Sequence, residues 1–136
     1  MVKIVKQWLP AFLIMGAIFY FSSIPSQEMP KFGNWDTLFK KSGHLLGYAM
    51  LAAAYLRGIH SLGWRAVSIA LVCVVLYSVT DEFHQSFIPG RTSTLIDVGI
   101  DTIGGAFGLS VVTLIPYIRK FIFQDITSPG KREYPK

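Results

Sequence analysis

Long apolar blocks dominate the chain, and short polar or turn-forming segments separate them. A helix needs roughly 20 mostly apolar residues to cross a bilayer, and four blocks approach that length. They lie at about 8–24, 43–59, 64–80 and 98–118. Gly104 and Gly108, four apart in the last block, predict close packing of that helix against a neighbour. The pattern therefore predicts an all-α, polytopic membrane protein built as a four-helix transmembrane bundle.

The composition agrees with a membrane protein. The chain is 51% hydrophobic and 15% charged, with a mean hydropathy of +0.44, so a soluble domain of this size would lack polar surface. Its 136 residues suffice for one domain over 1–136, with a core at about 8–118 and a polar cytoplasmic tail at 119–136. Lys3 and Lys6 precede the first block as in a signal peptide, but no A-x-A-like site follows, which favours retention of the segment.

The basic residues predict the orientation. Of the 13 Lys and Arg residues, nine lie before the first block, around the turn between the second and third, or after the fourth. The other side carries Lys31, Lys40, Lys41 and Arg91. The positive-inside rule then places both termini in the cytoplasm of a multi-pass protein of the inner (plasma) membrane. The pI near 9.5 follows from this bias, so nucleic acid is not indicated as a partner.

Four of the eight acidic residues border or enter apolar blocks. Asp81 and Glu82 close the third block, and Asp97 and Asp101 open the fourth. An ionisable side chain at membrane depth costs about 2.5–3.5 kcal/mol on insertion scales and usually has a partner and a function. The predicted orientation gathers these acids at one outward-facing end of the bundle, where we expect a site.

Other polar residues belong to the same end. Asp81, His84 and Gln85 share one helix face by their spacing of three and four. Asp97 also fits the N-cap position of the fourth helix. Arg91 follows a Pro-Gly turn and is suited to bidentate binding of a carboxylate or a phosphate.

The start of the second block contributes a basic stripe. Lys40 and His44 are four apart, and His44 fits either a helix-interface histidine or a ligand or proton carrier. Lys41 is expected to face lipid headgroups. Because the acids need compensation, we expect Lys40 or Arg91 to contact at least one of them directly.

These observations give a set of candidate residues without a known enzyme pattern. The sequence contains no H-E-x-x-H, G-x-S-x-G or C-x-x-C. The candidate binding residues are Lys40, His44, Asp81, Glu82, Gln85, Arg91, Asp97 and Asp101. The catalytic candidates are His44, Asp81, Glu82 and His84. Two histidines and several carboxylates are also suitable ligands for a hard divalent cation, although the spacing assigns no metal.

Four motifs carry a family resemblance. They are FSSIPS at 21–26, KSGHLLGY at 41–48, TDEFHQSFIPGRTSTLID at 80–97 and D-x-x-G-G-x-x-G at 101–108. Over about 8–118 the chain resembles the VanZ-like membrane protein family. The resemblance assigns Lys40 and His44 to a K-x-x-x-H motif, whereas Asp101 departs from an Asn that is frequent there. It implies a small bacterial cell-envelope protein linked to glycopeptide (teicoplanin) resistance, and it supplies no reaction.

Three functions remain open at this stage. The first is binding of an anionic lipid or polyprenyl-linked precursor headgroup, with Lys40 and Arg91 on the phosphate. The second is a membrane-embedded, metal-dependent enzyme on such a lipid, with His44 or His84 as acid and base. The third is a small transporter or proton-coupled carrier, for which a homodimer would build the path. Binding is favoured because no nucleophile–base pair is evident.

One structural observation separates these functions. Histidine and carboxylates converging within about 4 Å around an open cavity would favour an enzyme or a metal site. A closed and fully paired network would favour a structural role.

Overall fold

The computed structural model describes residues 2–30 and 33–124, and all regular structure within them is helical. The helices are α1 (Val2–Ser22), α2 (Asp36–Ile59), α3 (Trp64–Gln85), α4 (Leu95–Leu114) and α5 (Pro116–Phe123), with a 3-10 turn at Gly33–Trp35. The predicted all-α class is therefore confirmed. Lys31 and the polar segment from Asp125 onward lie outside the described residues.

Three of the described helices are long and apolar enough to cross a membrane. The segments are Ile4–Ser22, Trp64–Gln85 and Leu95–Leu114. Large apolar side chains on these helices point away from the core, as Phe12 and Phe107 do with 64% and 57% of their surface exposed. Such an apolar exterior fits an integral membrane protein.

Helix α2 is the centre of the bundle, since it packs against α1, α3, α4 and α5. Its Tyr48, Leu51 and Leu56 are fully buried. The helix begins at Asp36, earlier than the predicted apolar block, and Lys40 therefore lies within helical structure. Helix α2 is not one of the three segments that are apolar enough to qualify as candidate spans.

Two glycines of α4 allow this helix to approach α2 closely, as predicted. A Cβ atom at Gly104 would collide with the backbone carbonyl of Leu45, and one at Gly108 with that of Ala49. Backbone carbonyls cannot rotate away as flexible side chains do. The absence of side chains at both positions is therefore a requirement of the α2–α4 packing.

The first residues of the segment predicted as a polar tail are helical. Residues 119–123 belong to α5, whose Phe123 is fully buried. Arg57 of α2 donates a hydrogen bond to the carbonyl of Ile122. Arg119 and Lys120 concealed this helix in the sequence, because its apolar side chains occupy only one face.

The polar residues collect at one end of the bundle because successive helices run in opposite directions. Ser22 at the end of α1 contacts Asp81 near the end of α3. Lys41 near the start of α2 contacts Asp97 near the start of α4. The loop at 86–94, which joins α3 to α4, crosses this end and completes it.

Candidate functional site

A polar cavity of about 180 Å³ lies at this end of the bundle. Helices α2, α3 and α4 and the loop at 86–94 supply its wall. The predicted binding residues that line it are Lys40, His44, Glu82, Gln85, Arg91, Asp97 and Asp101. Asp81 is the one predicted binding residue outside this lining.

Three ligand-type side chains converge on the cavity, and we call His44, Glu82 and Asp101 the cavity cluster. One donor atom from each lies within 4.8 Å of the others. His44 Nδ1 is 3.4 Å from Asp101 Oδ1. Asp101 is fully buried, and its Oδ2 accepts a hydrogen bond of 2.7 Å from Ser78 Oγ. Ser78 therefore fixes the orientation of this carboxylate, with Oδ1 directed at His44.

Glu82 connects the cavity cluster to the loop at 86–94. Its Oε1 accepts a hydrogen bond of 3.2 Å from Gln85 Nε2, and its Oε2 accepts one of 3.2 Å from the backbone N–H of Thr94. Its backbone carbonyl accepts a 2.6 Å bond from Ser93 Oγ. These bonds hold the buried carboxylate in one position at the cavity wall.

A second group of polar residues joins α1 to α3, and we call Ser22, Ser23, Asp81 and His84 the α1–α3 polar contact. Asp81 Oδ2 accepts hydrogen bonds from Ser22 Oγ at 2.9 Å and from Gln85 Nε2 at 3.0 Å. His84 Nε2 lies 3.0 Å from Ser23 Oγ.

This arrangement divides the catalytic candidates. Asp81 and His84 share one helix face, as their spacing predicted; this face contacts α1, and neither residue lines the cavity. His44 and Glu82 remain together at the cavity wall. The sequence placed all four in one site because it could not show which helix each face contacts.

The expected contact of Lys40 or Arg91 with one of the four acids is wrong for the described part of the chain. Lys40 pairs with Asp36 at 3.4 Å. Arg91 donates from Nε to the carbonyl of Ile24 at 3.1 Å and from Nη2 to the carbonyl of Phe21. Phe21 lies in the last turn of α1 and Ile24 just beyond it, so the guanidinium bonds to backbone at the end of this helix. Arg91 thereby fastens the loop at 86–94 to the end of α1.

Arg91 still contributes positive charge to the cavity wall. Burial lowers the pKa of its guanidinium, and the negative charges of Asp81 and Glu82 act in the opposite direction. An arginine stays protonated under these conditions. The cation therefore acts on the two acids through space, without direct contact.

Among the described Lys and Arg side chains, Lys41 is the one that contacts one of the four acids directly, although it was expected to face lipid headgroups. Its Nζ lies 2.8 Å from Asp97 Oδ1. The expected N-cap role of Asp97 is also wrong, because Thr94 occupies that position. Thr94 Oγ1 accepts from the Asp97 N–H at 3.3 Å and donates to Asp97 Oδ2 at 2.6 Å. A Thr-x-x-Asp spacing before an apolar run was the signal for this reciprocal cap.

An apolar groove of about 420 Å³ adjoins the polar cavity between α1 and α2. Ile18 and Met50 form part of its wall. Lys40, His44 and Arg91 line both the groove and the cavity. A hydrocarbon surface therefore leads directly to a charged pocket.

Comparison with known proteins places the chain beside one family of membrane proteins by sequence. The sequence profile of the VanZ/LLP1 family matches residues 7–116, which include both the cavity cluster and the α1–α3 polar contact. No curated protein and no solved structure shows a significant match to the chain.

Proposed function

The chain belongs to the VanZ/LLP1 family, and from this membership and the cavity geometry we propose that it binds the anionic headgroup of a membrane lipid or polyprenyl-linked precursor. It does so as a multi-pass protein of the bacterial plasma membrane. Helix α2 serves as a fourth span, because its 24 residues extend for about 36 Å. The bias of basic residues supports cytoplasmic termini and an outward-facing cavity.

The observation that carries this proposal is that the charged cavity and the apolar groove adjoin each other. A membrane lipid presents a compact anionic group joined to an apolar chain. The cavity offers Lys40, Lys41 and Arg91, and the adjoining groove offers apolar side chains of α1 and α2. Lys40 stands where the two spaces meet, so it is placed to contact a phosphate whose chain follows the groove.

Binding is tested with the purified chain in nanodiscs. Native mass spectrometry should detect bound phosphatidylglycerol in preference to phosphatidylcholine, both with and without EDTA. Lys40→Met should reduce this preference about tenfold or more, since a charge-assisted contact contributes about 1.5–3 kcal/mol. Lys120→Met, at an exposed lysine of α5, is the matched control and should leave it unchanged. Equal retention by both variants would refute a headgroup site at Lys40.

The groove has its own test. A Cβ at Gly47 lies at ordinary contact distance, 3.5 Å from Ile18, so Gly47→Leu is tolerated by the backbone and fills the groove. It should weaken binding of long-chain lipid and spare binding of glycerol phosphate. Gly16→Leu, where a Cβ meets nothing within 4 Å, is the control. If glycerol phosphate and the lipid respond equally, the groove has no role.

A second function is favoured by the convergence of His44, Glu82 and Asp101 around the cavity. Such a group suits a metal-dependent enzyme acting on the same headgroup, with His44 or Glu82 as acid or base. Incubation with a radiolabelled anionic phospholipid and Mn²⁺ should then yield a product that Glu82→Gln abolishes. Unchanged lipid after prolonged incubation would leave binding as the activity.

The family membership also supports a role in the cell envelope. We expect deletion of the gene to change teicoplanin tolerance and the Lys40→Met variant to fail in restoring it. Restoration by this variant would separate the envelope phenotype from headgroup binding.

A further inference from the structure

The cavity cluster has the dimensions of a cation site. Its three donor atoms lie within 4.8 Å of one another, and His44 Nδ1 is 3.4 Å from Asp101 Oδ1. Protein ligands lie about 2.0–2.6 Å from a divalent ion, so two ligands of one ion are separated by up to about 5 Å. An ion can therefore touch all three residues with small side-chain adjustments.

One buried atom of the cluster lacks the bond that its burial demands. Asp101 Oδ1 receives no hydrogen bond from the described residues, although the carboxylate is fully buried. Its separation from His44 Nδ1 exceeds the usual hydrogen-bond range of about 2.7–3.2 Å. A buried polar atom without a hydrogen bond is costly, and this one lies beside His44 on the wall of the cavity that Glu82 also lines.

Charge supplies a second and independent reason. Each cation of the cavity wall is already engaged: Lys40 with Asp36, Lys41 with Asp97, and Arg91 with two backbone carbonyls. No Lys or Arg among the described residues lies within 4 Å of the Glu82 or Asp101 carboxylates. Apart from His44, which lies 3.4 Å from Asp101 Oδ1 and carries charge only when protonated, no cationic side chain of the described residues contacts these two buried carboxylates, and a bound divalent ion would compensate both.

The surroundings of the three side chains resemble the outer shell of a metal site. Ser78 donates to the second oxygen of Asp101, and Gln85 and the Thr94 N–H donate to Glu82. Such bonds orient ligands and leave further lone pairs on the carboxylate oxygens. The ring of His44 lies on that of Tyr48, with centroids 6.2 Å apart.

We infer that His44, Glu82 and Asp101 form a divalent-cation site at the wall of the polar cavity. One imidazole with two carboxylates suits Mn²⁺ or Zn²⁺ better than Ca²⁺, which prefers oxygen ligands alone. The remaining coordination positions face the cavity, where water or a phosphate oxygen can occupy them. The inference stands apart from headgroup binding, because it depends on these three side chains and not on Lys40 or the groove.

The experiment uses the whole 136-residue chain, purified in detergent, treated with EDTA and titrated with Mn²⁺. Electron paramagnetic resonance should show saturable binding of one Mn²⁺ per chain. Electron spin-echo modulation should show coupling to an imidazole nitrogen. Zn²⁺ should displace the signal.

Paired variants assign the ligands. His44→Gln and Asp101→Asn should each weaken Mn²⁺ binding about tenfold or more, as should Glu82→Gln. His84→Gln is the matched histidine control, since His84 bonds to Ser23 away from the cavity. Glu28→Gln is the acidic control at an exposed loop position. Both controls should bind Mn²⁺ as the native chain does.

Three results would overturn the inference: no saturable binding of Mn²⁺ or Zn²⁺, bound Mn²⁺ without nitrogen coupling, or equal binding by the ligand variants and the controls. If a ligand variant does not fold, the spectrum of the native chain still decides through the nitrogen coupling. Lipid retention in EDTA is measured separately, so loss of the metal site and loss of the headgroup site give different results.

Discussion

Two polar groups lie at the same end of the bundle, but only one of them lines a cavity. The α1–α3 polar contact links Asp81 to Ser22 and His84 to Ser23, between packed helices. The cavity cluster places an equally buried acid, Asp101, and another histidine, His44, on the wall of an open volume. Each group contains one histidine and a buried aspartate. Their surroundings, not their residue types, distinguish them.

The two groups also differ in the surroundings of the carboxylate oxygen that receives no hydrogen bond. Ser22 and Gln85 both donate to Asp81 Oδ2, so part of that carboxylate is satisfied by helix-to-helix bonds. Asp81 Oδ1 has no hydrogen bond from the described residues, but it does not face the cavity. Asp101 Oδ1 has the same deficit beside a space that a ligand can enter. The first group is therefore suited to holding helices together, and the second to binding.

The largest expected effect comes from a substitution that disturbs the helix packing beneath the cavity cluster and leaves the α1–α3 polar contact untouched. Gly104→Val forces a side chain against the carbonyl of Leu45, which should push α4 away from α2 and disturb Asp101. Overpacking against backbone should cost about 3 kcal/mol or more. We expect the variant to unfold at markedly lower temperature in detergent and to lose Mn²⁺ binding.

Gly99→Val is the control for this change. It lies on the same helix, and a Cβ there meets nothing within 4 Å. Its thermal unfolding should stay close to that of the native chain, because valine is no worse than glycine within a helix. Equal stability of the Gly104 and Gly99 variants would contradict close α2–α4 packing as the support of the cavity.

Much of this packing was accessible from the sequence. The four-residue spacing of Gly104 and Gly108 predicted close approach, and the apolar blocks predicted helices, because both depend on local periodicity. The partner of each charge was not accessible. Lys41 rather than Lys40 reaches Asp97, because Lys41 lies one turn before Leu45 on the side of α2 that packs against α4.

For the site, too, the sequence predicted the location of the residues but not their contacts. The sequence brought His44, Glu82 and Asp101 to one end of the bundle, but it did not separate them from Asp81 and His84. That separation depends on which neighbour each helix face meets, and neighbours are set by tertiary packing. The role of Arg91 was missed for a related reason, because its partners are backbone carbonyls that carry no sequence signal.

An intermediate effect should distinguish the two buried aspartates. Asp81→Ala removes the acceptor shared by Ser22 and Gln85, and it should lower the free energy of unfolding by about 1–3 kcal/mol while Mn²⁺ binding persists. Asp101→Asn keeps an acceptor for Ser78 and removes a buried charge, so the metal-free protein should be as stable as the native chain or more stable.

The readout is thermal unfolding with and without Mn²⁺. A ligand at 100 times its dissociation constant stabilises the native state by about 2.7 kcal/mol. This increment should appear in the native chain and in Asp81→Ala, and should fall to about 1.4 kcal/mol or less in Asp101→Asn, which is expected to bind Mn²⁺ tenfold or more weakly. The same increment in both variants would place the ion outside the cavity cluster.

The smallest expected effect concerns the pair at the rim of the cavity. Lys41 Nζ and Asp97 Oδ1 are 2.8 Å apart, but 41% of the lysine side chain is exposed, in contrast to the buried Asp101 one turn deeper. A double-mutant cycle with Lys41→Met and Asp97→Asn isolates the pair, because the change in the Thr94 cap is common to both backgrounds. In water-like surroundings the coupling should be below about 1 kcal/mol. A coupling above about 2 kcal/mol would place the rim in a low-dielectric environment, where charges interact more strongly. The low-dielectric interior would then extend beyond the rim of the cavity.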